Sequence, residues 1–143
     1  MRNRDGVFLD SNGWIALLSA NDRWHAQAVE QFEQIRLGRR RLVTTDWVLA
    51  ETGNGLARTS ARDRFAGAVE RFRESPNCQF TRIDDDLFQE ALDRYDRTAD
   101  KSWGLVDCAS FIVMQREHIL DAFTTDHHFQ QAGFRRLLAA QPR

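Results

Sequence analysis

The sequence predicts an α/β protein: a three-layer α/β/α sandwich around a mainly parallel sheet of four to five strands. Short apolar runs of strand length recur at VFLD (7–10), RLVTT (41–45), CQFTRI (78–83) and DAFTT (121–125). The first is continuously apolar up to its aspartate rather than alternating, as in strands buried on both faces. Segments of helical periodicity lie between the runs, and strand–helix alternation calls for right-handed crossovers onto a parallel sheet. At 143 residues, 42% hydrophobic and 29% charged, the chain can bury one continuous core, so 1–143 is expected to form a single domain.

After the first strand, Ser11 or Asn12 is placed to cap a helix from about Gly13 to Ala20. A second helix is expected from Arg23 to Leu37, with Val29, Phe32 and Ile35 facing inward and Gly38 ending it. RLVTT is the second strand, and Thr45 or Asp46 caps a helix within WVLAETGNGLAR. Residues 61 to 74 carry Phe65, Ala68, Val69 and Phe72 at the spacing of one buried helical face. SPN breaks that helix, and CQFTRI offers the third strand. A helix from about Asp85 to Thr98 follows, then a loop, then the strongly apolar helix LVDCASFIVMQREH. DAFTT is the fourth strand, HHFQQAG a turn or short helix, and FRRLL a further strand.

Composition excludes several functions. No apolar run approaches the roughly 20 residues of a membrane helix. The apolar run after MRNRDG contains Asp10 and no small-residue cleavage site, which argues against a signal peptide. Cys78 and Cys108 are too few for a disulfide framework and lack metal-type spacing, so a reducing cytoplasm is the expected location. Net charge is −1, so bulk electrostatics does not announce nucleic acid. Lys101 is the only lysine; the other fixed cations are arginines, whose planar fork matches phosphate oxygens. Local patches lie at Arg39–Arg41 and at Arg58, Arg62 and Arg64.

Four carboxylates sit in apolar surroundings. Asp10 is the only charge between Gly6 and Ala20. Glu51 interrupts the helix of WVLA, one turn from Trp47 and Val48, which places it near the buried face. Asp107 is the only charge from Ser102 to Gln115, and Asp126 directly follows AFTT. Asp10 and Asp126 both end strands, the edge of an open parallel sheet where ligands bind. Singly, each has an ordinary explanation as a cap, a turn or, for Glu51, a partner of Arg58. Together they form a repelling cluster that a shared cation would relieve. Oxygen-only ligation suits Mg²⁺ or Mn²⁺, and such ions activate water and stabilise the leaving oxygen in phosphodiester cleavage.

With these flanks and in this order, the chain resembles the PIN-domain family, most closely the compact VapC-type toxin ribonucleases. The markers are FLDSNGWIAL, TTDWVLAETGNGLAR, DKSWGLVDCASFIVM and FTTDHHFQQAGF, and the resemblance runs from the first strand to about Phe134. It implies a Rossmann-like, PIN-like sheet and an Mg²⁺- or Mn²⁺-dependent endoribonuclease, the toxin half of a toxin–antitoxin pair. Asp10, Glu51, Asp107 and Asp126 would be the catalytic and metal-binding quartet. Asn12 and Thr124 match supporting polar positions. An antitoxin segment covering the pocket, an RNA substrate, a homodimer and no membrane partner are further implications. Close members commonly read W-S-L-T-D around the third acid, whereas this chain reads Trp103-Gly104-Leu105-Val106-Asp107 and lacks two hydroxyls.

Trp103 is placed to stack on an unpaired base or to pack in the core, and Arg58 to hold the RNA backbone. Of His127 and His128, neighbours pointing in different directions, at most one is expected to face the acids. Trp14 and Trp24 are assigned to packing and Cys108 to an inert buried thiol. The competing functions are a solitary RNA-processing nuclease and a catalytically silent RNA- or protein-binding module. A receiver-type phosphate acceptor fits poorly, because Asn12 stands where a second acid is wanted.

Overall fold

The structure, a computed structural model, describes residues 6–139. Its strands form one five-stranded sheet in the order β3-β2-β1-β4-β5, every neighbouring pair parallel. In chain order the elements are β1 (Gly6–Leu9), α1 (Ser11–Leu18), α2 (His25–Leu37), β2 (Arg41–Thr45) and α3 (Asp46–Leu56). A 3₁₀ turn at Arg62–Arg64 leads into α4 (Phe65–Glu74). Then follow β3 (Cys78–Thr81), α5 (Asp85–Arg97), α6 (Leu105–Arg116), β4 (Asp121–Phe123), α7 (His127–Gln131) and β5 (Arg135–Arg136).

β1 is central and fully covered: Val7, Phe8 and Leu9 are all buried. Burying each such side chain contributes on the order of 1.5–3 kcal/mol. α6 is buried from Cys108 through Met114, without a polar face, because it lies against α5 and α7 as well as in the core. The chain builds β2 and β3 to one side of β1, then returns to add β4 and β5 on the other. The direction of winding therefore changes between β1 and β4, the position at which open α/β sheets form a crevice beyond their carboxyl ends.

Several expectations need correction. Neither Ser11 nor Asn12 caps α1; they are its first two residues, because the Asp10 carbonyl already accepts the Trp14 N–H at 3.0 Å. Asp10 occupies the N-cap position, yet its side chain makes no capping bond and is free for another role. Val29 is 47% exposed, one residue round from the buried Ala28, while Ile35 is buried and Phe32 packs against the core. β3 stops at Thr81, because the Ile83 N–H turns away to Asp46 Oδ1 at 3.0 Å. Of the two caps proposed for α3, Thr45 is the one, its hydroxyl accepting from the Val48 N–H at 3.1 Å.

One glycine is dictated by close approach. A Cβ on Gly13 would lie 2.1 Å from the Phe123 carbonyl oxygen, so only glycine lets α1 seat this tightly against the end of β4. That contact draws the starts of α1 and of the segment after β4 together. Among the described residues, no helix is long and apolar enough to cross a membrane.

Candidate active site

The four acids come from four places that the fold brings to the carboxyl edge of the sheet. Asp10 follows β1, Glu51 stands midway along α3, Asp107 is in the first turn of α6, and Asp126 follows β4 as the N-cap of α7. Asp10 is 3% exposed. Burial pushes its carboxyl up to about 7 from the ordinary 3.8, the hydrogen bond from Thr124 opposes this, and the charges of Asp107 and Glu51 add to it. Asp107, half-buried, is likewise raised, first by burial and then by the charges of Asp126 and Glu51; the Gly104 N–H and His128 oppose the rise. The quartet is thus a mutually repelling group.

Polar side chains brace it. Thr124, fully buried, has its hydroxyl 2.8 Å from Asp10 Oδ2 and 2.7 Å from Asn12 Oδ1, and it accepts the Asp126 N–H at 3.0 Å. One hydroxyl proton serves one acceptor at a time. When Asp10 is protonated, its own proton completes the chain from Asp10 to Thr124 to Asn12. Asn12 Oδ1 also accepts the Thr125 N–H at 3.0 Å, tying α1 to the segment that delivers Asp126. The matched polar positions at Asn12 and Thr124 therefore both touch the acids' support.

Glu51 is exposed rather than near a buried face: Thr52, not Glu51, turns into the core from that part of α3. The Ser11 hydroxyl donates to it, a contact that sequence reasoning missed by assigning Ser11 to a cap. Arg58 lies exposed beyond the end of α3 and makes no ion pair with Glu51, so the proposed Glu51–Arg58 pair is absent. Trp103 packs edge-on against Phe111, with centroids 5.1 Å apart, and its indole N–H donates to Gln131 at 3.0 Å. Packing is the role its surroundings supply. At the position of a missing hydroxyl, the Gly104 backbone N–H donates to Asp107 Oδ2 at 3.0 Å.

Of the two adjacent histidines, His128 is the one that turns inward. Its side chain is 18% exposed against 63% for His127, so one of the neighbouring histidines faces the acids. The signal available was its place two residues after Asp126, whose carboxylate caps the turn by accepting the His128 N–H at 2.9 Å. A cavity of about 400 Å³ lies elsewhere, on the flank of the sheet against α1, α2 and α4; none of the four acids lines it.

Among the described residues, ligand atoms of Asp126, His127 and His128 all lie within 4.8 Å of one another, with Asp107 Oδ2 3.4 Å from His128 Nδ1; carboxylate oxygens of this kind suit a hard divalent cation. Comparison with known proteins gives the family. Residues 7–135 match the PIN domain family. The 23S rRNA-specific endonuclease VapC20 of Mycobacterium tuberculosis is 30% identical over 129 residues, 90% of this chain and 95% of the relative. The crystal structure of Mycobacterium tuberculosis VapC20, described as a sarcin–ricin loop cleaving toxin, superposes with a TM-score of 0.76 at 29% identity, covering 90% of this chain and 95% of that one. FitAcB from Neisseria gonorrhoeae, at 17% identity, shares the fold with a TM-score of 0.61 over 95% of this chain and 97% of that one. The chain belongs to the PIN-domain family, among the VapC-type toxin ribonucleases.

Proposed function

We propose that the protein is a divalent-metal-dependent endoribonuclease whose Mg²⁺ or Mn²⁺ is held by Asp10, Glu51, Asp107 and Asp126. The observation that carries this reading is the buried Asp10 carboxyl, raised to about 7 beside Asp107 and Glu51 at the switch point of the sheet. A carboxylate so placed is costly as an anion unless a cation shares it. The bound ion supplies Lewis acidity and an activated water for phosphodiester hydrolysis.

The chain's own residues do the remaining work. Thr124 and Asn12 fix the rotamer of Asp10 relative to Asp126. Ser11 orients Glu51 and the Gly104 N–H orients Asp107. Arg58, exposed at the end of α3, is a contact for the RNA backbone, and Asp10 would give up its proton to solvent when an ion binds and take one up when the ion leaves. The biological context is a toxin with a cognate antitoxin, the antitoxin blocking the acids, and with a homodimer as the working form in the cytoplasm.

The curated relative acts on 23S rRNA, so an RNA carrying the sarcin–ricin loop is the first substrate to try. Cleavage by the wild type in Mg²⁺ or Mn²⁺, abolished by chelator and by Asp10→Asn, is expected. Undiminished cleavage by a folded Asp10→Asn protein would overturn the assignment. A short upstream reading frame with a DNA-binding motif would be the antitoxin to test by co-expression: rescue of growth and co-purification support it, and the absence of such a frame with harmless expression of the protein alone points to a solitary nuclease.

A further inference from the structure

α7 is a single short turn that places two histidines differently. His127 projects into solvent, whereas His128 lies against the acids. The His128 Nδ1 is 3.2 Å from Asp126 Oδ1 and 3.4 Å from Asp107 Oδ2. It is buried from solvent and yet has no hydrogen-bond partner. The other ring nitrogen, Nε2, is 3.0 Å from the Ser102 hydroxyl. The oxygens nearest Nδ1 already have donors: Asp107 Oδ2 takes the Gly104 N–H, and Asp126 Oδ1 takes the His128 backbone N–H.

An imidazole nitrogen aimed between two carboxylates without an aligned hydrogen bond has ion-pair partners when the ring is protonated and none when it is neutral, which is costly for a buried atom. The arrangement is a natural one around a cation. Neighbouring donor atoms of an octahedral ion with bonds of 2.0–2.1 Å lie about 2.9 Å apart, and those of a larger ion with bonds of 2.3–2.6 Å about 3.3–3.7 Å apart. The two separations at Nδ1, 3.2 and 3.4 Å, lie a few tenths of an ångström above the first value and close to the second. Histidine ligands commonly donate their second ring N–H to an oxygen that fixes the tautomer. Ser102 is placed to accept that bond at Nε2, leaving the Nδ1 lone pair toward the acids.

We propose that His128, through Nδ1, is a nitrogen ligand of the ion shared by Asp107 and Asp126, and that it biases the site toward Mn²⁺ and Co²⁺ over Mg²⁺. The inference rests on the metal reading above and adds to it a ligand of a different chemical class. Mg²⁺ favours oxygen, and it gains little from an imidazole; first-row transition ions gain more, in the order Mn²⁺ < Co²⁺. Ser102 is then a positioning residue, acting through the ring.

Pulsed electron paramagnetic resonance on the Mn²⁺-loaded wild-type chain and two histidine variants tests this. A ¹⁴N coupling of directly bound imidazole is expected, retained in His127→Ala and lost in His128→Ala. Equilibrium titrations should show His128→Ala losing roughly 10–100-fold in Mn²⁺ and Co²⁺ affinity, and less than about 3-fold in Mg²⁺ affinity. His128→Asn, which returns an oxygen near the position of Nδ1, should recover Mg²⁺ binding without the transition-metal preference. Mn²⁺ bound through the acids with no nitrogen coupling, or a coupling that survives His128→Ala, would overturn the proposal while leaving the metal site intact. Mn²⁺ binding unaffected by Asp10→Asn and Asp107→Asn would overturn the metal site and the proposal with it.

Discussion

Replacing Asp10 by asparagine should stabilise the metal-free protein while removing its activity. The carboxyl is buried, and its value of about 7 lies above the ordinary 3.8. A folded-state value above the unfolded one means that the neutral form is favoured by folding. The associated stability is full below 3.8 and is lost as pH rises through about 7. The gap corresponds to about 4 kcal/mol at most, of which about 2–3 kcal/mol disappears between roughly pH 5 and pH 8. Asparagine keeps the shape, accepts from Thr124 and carries no charge to desolvate. In chelator, urea melts of the two proteins should differ by about 2–4 kcal/mol in favour of Asp10→Asn at roughly pH 8, with the gap narrowing by about 2–3 kcal/mol at roughly pH 5 and closing only as pH falls to the ordinary carboxylate range. A difference that does not change with pH, or a variant less stable than wild type at pH 8, would refute the reasoning.

Thr124→Val removes the hydroxyl shared by Asp10 and Asn12; it should cost about 1–3 kcal/mol and lower kcat, with the acid limb of the pH–rate profile moved to higher pH. Asp121 is buried at the opposite edge of the sheet, where burial raises its carboxyl but hydrogen bonds from Arg135 and Arg40 outweigh this and hold it below the ordinary range. Asp121→Asn should therefore cost about 2–3 kcal/mol by chemical melts at neutral pH and leave kcat and KM unchanged. Because the folded-state value is depressed, that contribution is present above the ordinary carboxylate range and is lost as pH falls through the depressed value, so wild type and variant should converge in acid. Gly13→Ala drives a methyl group into the Phe123 carbonyl and should cost about 3 kcal/mol or more, with metal affinity falling as Asp10 and Asn12 move.

Much of this was legible from residue order. Buried strands announce themselves by continuous apolar runs, and Asp10 and Asp126 stood out because each charge ended such a run. Their convergence follows from topology: both lie beyond the carboxyl ends of β1 and β4, which are neighbours. Less legible were features decided by a single rotation. The helix begins at Ser11 because the Asp10 carbonyl takes the first helical bond, and nothing in the side-chain pattern distinguishes that from a start two residues later. Val29 and Ala28 differ by about 100° around α2, and which of them faces the core depends on how the helix lies against the sheet. Glu51 shows the same sensitivity, reached by Ser11 across a separation of 40 residues that no local rule encodes. The inward turn of His128 depends on Asp126 acting as the cap of α7, a hydrogen bond visible only once the turn is built. The buried Asp121 went unremarked because it reads as an ordinary charge before an apolar strand; its partners, Arg40 and Arg135, come from distant parts of the chain.

Calorimetric titration of Mn²⁺ into the wild type and its Asp10→Asn, Asp107→Asn and Asp126→Asn variants tests most directly whether the four carboxylates share one cation site. Saturable binding by the wild type, with proton release near neutral pH from Asp10, and at least about tenfold weaker binding in each folded variant are expected. Binding of equal strength in the wild type and the Asp10→Asn protein would contradict a shared site.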